Sequence, residues 1–186
     1  MDLWLVRHAL PLVDAGVCYG ALDVPADALA TAEAAGALAQ ALPESIDVLV
    51  SPLQRCEQLA QTLWGLRPDL TFKTDSRLAE MNFGAWEGKR WDHISRNELD
   101  AWTAEFSSYA CGGGECVQQF MQRVEEVWAT CVAASPATAW ITHAGVIRAV
   151  RLLANGTQTI TRADQWPATA PGFGGWETIP VAKRYR

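Results

Sequence analysis

Three short apolar runs, at residues 1–6, 46–50 and 139–142, each break off into polar residues and loop or helix-forming sequence. The run at 46–50 is compact and β-branched without alternation, as a strand buried on both faces would be. The run at 139–142 reads the same way, and 1–6 reads as a short strand. Weaker strand signals lie at 70–73 and 176–181. Amphipathic segments come between. Asp27 is placed to cap a helix through an Ala-rich stretch, with Leu29, Ala32, Gly36, Ala39 and Leu42 on one face and Pro43 at its end. Ser51-Pro52 opens a second helix to about Trp64, with Pro52 in its first turn and Arg55 just inside. Val117, Phe120, Val124, Val127 and Cys131 keep the 3.6-residue period of a third, which Pro136 separates from the next strand. Residues 146–153 form a helix after the last buried run. Strands alternating with helices specify an α/β domain with a mostly parallel central sheet and helices on both faces.

The chain of 186 residues suffices for one such domain with a sizeable core, so 1–186 is read as a single domain. From 83 to 114 the pattern changes. Trp86, Trp91, Ile94, Leu99, Trp102 and Phe106 suggest short amphipathic helices, and Gly112-Gly113-Gly114-Glu115 breaks the chain again. This stretch is expected to be a small helical lid inserted after residue 82. A net charge of −6 argues against nucleic acid as a partner, and no apolar run is long enough to cross a membrane. Asp2 follows Met1 at once, without a basic region, so no signal peptide is expected. The five cysteines are an odd number without framework spacing, which fits reduced thiols in a cytoplasmic protein. With three histidines in all, no metal site is expected, and no cofactor is called for. The sequence does not encode an oligomeric state; a homodimer is compatible with it.

The chemistry gathers at strand ends. Arg7-His8 follows the first run, Ser51 to Arg55 the second, and Thr142-His143-Ala144-Gly145 the third. Ligands of open α/β sheets bind outside the carboxyl ends of the strands. Side chains alternate along a strand, so Arg7 and His8 can serve one site only if the chain turns there. Two guanidiniums and two imidazoles suit a phosphate dianion, because Arg offers bidentate donors and stays charged. Ala144-Gly145, opening a helix, would add backbone N–H donors. A neutral His attacks phosphorus. The second His, beside the phosphate, is expected to be held protonated by that charge. Glu80, at the start of the irregular segment, is the candidate to protonate the leaving group and then to activate water.

The pieces RH near the N-terminus, SPLQRCEQLAQTL, AEMNFGAWEG and ITHAGVIRAV resemble, in order and spacing, the histidine phosphatase superfamily, also called phosphoglycerate mutase-like. The resemblance covers residues 3–153 and implies a phosphoglycerate mutase-like fold and a metal-independent phosphomonoesterase acting on a small phosphorylated metabolite. It implies His8 as the phosphorylated nucleophile, Arg7, Arg55 and His143 as the phosphate pocket, and Glu80 as proton donor. The loop CYGALDVP, the GGGE segment and the short length resemble most the α-ribazole phosphatase branch of cobalamin biosynthesis, with α-ribazole 5′-phosphate as substrate. Family members usually carry Gly after the His, then a Thr and an Asn that help hold phosphate. Here those places read Ala9, Pro11 and Asp14, and an Asp facing a dianion would be repulsive unless it points away.

Other residues have weaker claims. Trp86, Trp91 and Trp102 are read as the core of a small cap rather than as a wall for a flat substrate. His93 is read as a surface residue and Ser51 as closing a helix start. Tyr19 and Asp23 could reach the mouth of the site, and Tyr19 is carried forward with Ala144 as substrate-binding. The alternatives are a phosphoglycerate mutase-type phosphoryl transferase and a non-catalytic phosphate-binding regulatory protein.

Overall fold

The computed structural model describes residues 2–134 and 137–181; the break expected at Pro136 lies outside them. Five strands, β1 (Asp2–Arg7), β2 (Asp47–Val50), β3 (Thr71–Thr74), β4 (Thr138–Thr142) and β5 (Trp176–Pro180), form one sheet in the order β3-β2-β4-β1-β5. All neighbours are parallel except β5, which runs antiparallel to β1. The all-apolar reading of β4 is explained by its place: it lies between β1 and β2 with all five residues buried.

The helices are α1 (Ala28–Ala41), α2 (Gln54–Leu66), α3 (Arg96–Ala104), α4 (Val117–Ala134) and α5 (Ala144–Ala154). Alternation along the strands sends Val6, Ala139 and Ile141 toward α1 and α2, and Leu5 and Trp140 toward α4 and α5. The fold is thus the expected one, with helices on both faces.

Two local expectations fail. α1 buries Thr31, Ala34, Ala35 and Leu38, while Leu29 is 69% exposed. In an Ala-rich helix the apolar stripe has little contrast, so the face that meets α2 is chosen by close packing of small residues. Asp27 does cap this helix, accepting from the Ala30 N–H at 2.8 Å. Pro52 precedes the helix it was expected to enter; α2 starts at Gln54 behind Leu53.

Segment 83–114 contains α3 and three single 3-10 turns rather than a set of amphipathic helices. Trp86, Ile94, Phe106 and Cys111 join the same buried cluster as α4 and α5. Gly84 and Gly112 both have positive φ, and a Cβ on Gly84 would lie 2.4 Å from the Gly112 carbonyl. The two turns therefore touch backbone to backbone, which only glycine permits. No helix among the described residues is long and apolar enough to cross a membrane.

The register places the site. Arg7 pairs with Thr142 and Val50 with Ile141, so β1, β2 and β4 end level with one another. Past these ends, His8 N–H donates to the Thr142 carbonyl at 3.0 Å and Ser51 N–H to Ile141 at 3.0 Å. The three expected strand ends are locked side by side.

Candidate active site

His8 is buried at 2% exposure, its ring centroid 5.1 Å from that of His143. His8 Nδ1 lies 2.7 Å from the Ala9 carbonyl, an acceptor only, so Nδ1 carries the proton and donates. Nε2 is left with its lone pair. Burial, with the guanidiniums of Arg55 and Arg7, pushes the His8 pKa down to about 3, against the opposing pull of the Ala9 carbonyl. The imidazole is therefore neutral and nucleophilic across the physiological range.

Arg55 is fully buried in the first turn of α2 and donates to the Gly20 carbonyl at 2.7 Å and the Leu22 carbonyl at 2.9 Å. It thereby ties the 20–22 loop to the site. Glu87 holds that loop from the other side, accepting from the N–H groups of Ala21 and Leu22. Arg7 donates to the Pro171 carbonyl at 2.9 Å, and its guanidinium carbon lies 3.9 Å from the Phe173 ring centroid. The Nε of Arg7, the Nε of Arg55 and Nδ1 of His143 are buried and find no hydrogen-bond partner among the described residues. Such groups are costly to leave unpaired, and a bound oxyanion would satisfy them.

His143 is expected to be protonated beside bound phosphate, and the unliganded site shows its state without that charge. It is fully buried, and burial, then Arg55 and His8, hold its pKa well below the usual value, so without substrate it is neutral rather than protonated. Ser51 does not mainly close a helix start. Its Oγ lies 2.7 Å from His143 Nε2 and only weakly accepts from Leu53 N–H at 3.4 Å. Donation by Ser51 to Nε2 would place the ring proton on the open Nδ1.

Glu80 Oε2 accepts from Gly145 N–H at 2.9 Å, and Oε1 accepts from Met81 N–H at 3.1 Å. The Gly145 donor expected to bind phosphate is thus committed to Glu80. Arg123, ion-paired to Glu115 at 2.7 Å, donates to the carbonyls of Arg77, Ala79 and Glu80 and fixes this turn from behind.

The site opens into one cavity of about 720 Å³, whose lining does not include the fully buried His143. Arg7, His8, Arg55 and Glu80 line it, together with Tyr19 and Ala144. Tyr19 faces the Arg55 guanidinium at 5.5 Å. Asp23 instead fastens α2, accepting from Gln54 N–H at 2.7 Å. Trp91 and Trp102 line the cavity with Phe83 and Trp166, whereas Trp86 is core. Trp91 and Trp102, read as core, therefore serve both packing and wall. His93 lies at the surface. Asp14 is exposed, outside the cavity lining, and its carboxylate acts on Arg90. The feared repulsion does not arise, because the loop turns Asp14 outward.

Sequence reasoning missed Phe173 and Arg148. Phe173 lies far along the chain, and only the pairing of β5 with β1 brings it back to His8, 5.6 Å away between ring centroids. Arg148 carried a readable signal, standing four residues beyond Ala144 on the same helix face.

The model of the histidine phosphatase superfamily (branch 1) matches residues 3–169. The chain belongs to this superfamily. It is a phosphomonoesterase by that membership. No curated protein matches the sequence significantly. Among solved structures, the chain is similar to TTHB049 of Thermus thermophilus, with 28% identity over 99% of this chain and 96% of that one at a TM-score of 0.72. It shares its fold with a mycobacterial glucosyl-3-phosphoglycerate phosphatase complexed with VO3, at 23% identity over 96% and 90% of the chains and TM-score 0.79. It does so equally with a candidate alpha-ribazole-5′-P phosphatase of Escherichia coli K-12, at 24% identity over 96% and 89% and TM-score 0.79.

Proposed function

We propose that this phosphomonoesterase works through a phosphohistidine on His8. Nε2 of His8 attacks phosphorus and the P–O bond to the alcohol breaks. Glu80 gives its proton to the departing alkoxide. Glu80 then takes a proton from water, whose oxygen attacks phosphorus and breaks the P–N bond, releasing inorganic phosphate and free His8. Arg7, Arg55 and Nδ1–H of His143 hold the equatorial oxygens, where charge spreads in a loose transition state. These groups supply the positive field, so no metal ion is required.

The observation that carries this reading is the bare Nε2 of His8 in a site with three buried nitrogens, on Arg7, Arg55 and His143, that have no partner among the described residues. The substrate is a small phosphorylated metabolite. α-Ribazole 5′-phosphate is one candidate, supported by the aromatic wall of Phe83, Trp91, Trp102 and Trp166, which suits a flat base.

Phosphate release from p-nitrophenyl phosphate in excess chelator tests the reading. Release is expected undiminished by the chelator and absent in His8→Ala, which also should form no acid-labile phosphoprotein. A phosphoprotein persisting in that variant would overturn the nucleophile.

A further inference from the structure

Seven arginines among the described residues are ion-paired to a carboxylate: Arg67, Arg77, Arg90, Arg96, Arg123, Arg151 and Arg162. The remaining three are Arg7, Arg55 and Arg148. They share four properties. None has a carboxylate partner. Each donates only to main-chain carbonyls, Arg148 to that of Ala168 at 3.3 Å. Each keeps a buried Nε without a partner, and all three line the same cavity. Two of them are the cations of the phosphate pocket, and Arg148 carries their signature.

Its place in the cavity is different. The charges that act on His8 are those of Arg55 and Arg7. The charges that act on Arg148 are first the Glu80 carboxylate, then Arg7 and Arg151. Arg148 thus shares the cavity wall with Glu80, the group assigned to the leaving group, and is not among the charges that act on His8. Asp164, the acidic residue on the neighbouring wall, is occupied by Arg162 at 2.9 Å and does not neutralise it. A half-buried guanidinium with no ion-pair partner favours an anion, and its planar fork suits a carboxylate or a phosphate.

We propose that Arg148 is a substrate-binding residue that takes a second anionic oxygen group on the alcohol side of the phosphomonoester. The inference rests on the phosphomonoesterase reading and narrows its substrate class. α-Ribazole 5′-phosphate, whose leaving group bears no second anion, falls outside it, so the aromatic wall and Arg148 favour different leaving groups.

Matched substrate pairs separate them. 3-Phosphoglycerate against glycerol 3-phosphate tests a carboxylate, and propane-1,3-diol bisphosphate against the monophosphate tests a second phosphate. The wild-type protein is expected to show a higher kcat/KM for the anion-bearing member of at least one pair. Arg148→Gln should reduce that preference by about tenfold or more through KM, and Arg148→Lys by less, since it keeps charge and loses the fork. No preference in the wild type, or a preference that Arg148→Gln leaves unchanged, overturns the assignment. If Arg148→Gln fails to fold, the same ratio in Arg148→Lys decides. Absence of any release from p-nitrophenyl phosphate by the wild type would be a failure of the phosphatase reading itself.

Discussion

Gly145 N–H donates to Glu80 Oε2 at 2.9 Å, and a Cβ on Gly145 would fall 2.2 Å from Glu80 Oε1. The first turn of α5 is therefore shaped around the carboxyl that we assign to proton transfer. A methyl group there meets the end of a flexible side chain, so the fold survives while the carboxyl moves. Gly145→Ala should lower kcat by roughly 10²-fold or more for an alkyl phosphate, whose alkoxide needs a proton. For p-nitrophenyl phosphate, whose leaving group departs unprotonated, the loss in the first step should be much smaller. Burst kinetics on both substrates make the comparison; equal losses would place Glu80 outside leaving-group protonation.

Ser51 and His143 form the second pair to test. Ser51→Ala removes the 2.7 Å bond to Nε2 and frees the imidazole to change tautomer. About 1 kcal/mol of stability should go with it, as for a typical buried hydrogen bond. Vanadate inhibition should weaken by roughly five- to tenfold, as expected for a bond of 1–1.4 kcal/mol. Denaturant titration and inhibition constants read the two effects separately. Unchanged inhibition would mean that His143 does not need this bond to present Nδ1–H.

Much of this arrangement was legible in the sequence because it depends on strand ends. Apolar runs at 46–50 and 139–142 can be little but buried strands, and a parallel sheet brings their carboxyl ends level. Arg7, His8, Arg55 and His143 follow from that alone. Glu80 was named because phosphoryl transfer needs a proton donor, and the family resemblance supported it; nothing local distinguishes it from a surface carboxylate. The helix face of α1 was misread because Ala against Ala offers no contrast. That His143 is neutral without substrate was not legible, because sequence shows neither the depth of burial nor the nearness of Arg55 and His8. Phe173 was invisible because its nearness to Arg7 depends on an antiparallel return strand, not on any local pattern.

Acid should destabilise the unliganded protein through its two imidazoles. His8 falls to about 3 in the folded state against an ordinary 6.5, and His143 is lowered in the same direction. Between these values the unfolded chain binds a proton at His8 that the folded protein refuses. Stability therefore rises with pH from about 3 to 6.5 and is unaffected by His8 above that. The slope is about 1.4 kcal/mol per pH unit for each imidazole, as an upper figure. Denaturant midpoints across this range, compared with His8→Gln, isolate the contribution. The variant's curve should be flatter below pH 6.5 and parallel above it; parallel curves throughout would mean that His8 titrates normally.

Phe173 ties the return strand to His8. Its ring sits 3.9 Å from the Arg7 guanidinium carbon and 5.6 Å from the His8 ring, while Gly174 N–H donates to the His8 carbonyl at 3.0 Å and Arg7 N–H to that of Gly175 at 2.9 Å. Backbone bonds alone would fix the height of His8 and leave the guanidinium of Arg7 free to swing. Phe173 is 42% exposed, so its cation–π contact belongs to the weaker class of about 0.5–1 kcal/mol. Phe173→Leu keeps bulk and removes the π face. It should raise KM about two- to fivefold with kcat nearly unchanged, and Phe173→Tyr should restore the wild-type value. Steady-state kinetics on one alkyl phosphate suffice. A Leu variant as good as the Tyr variant would show that Phe173 acts by packing alone, and that the Pro171 carbonyl is enough to hold Arg7 in place.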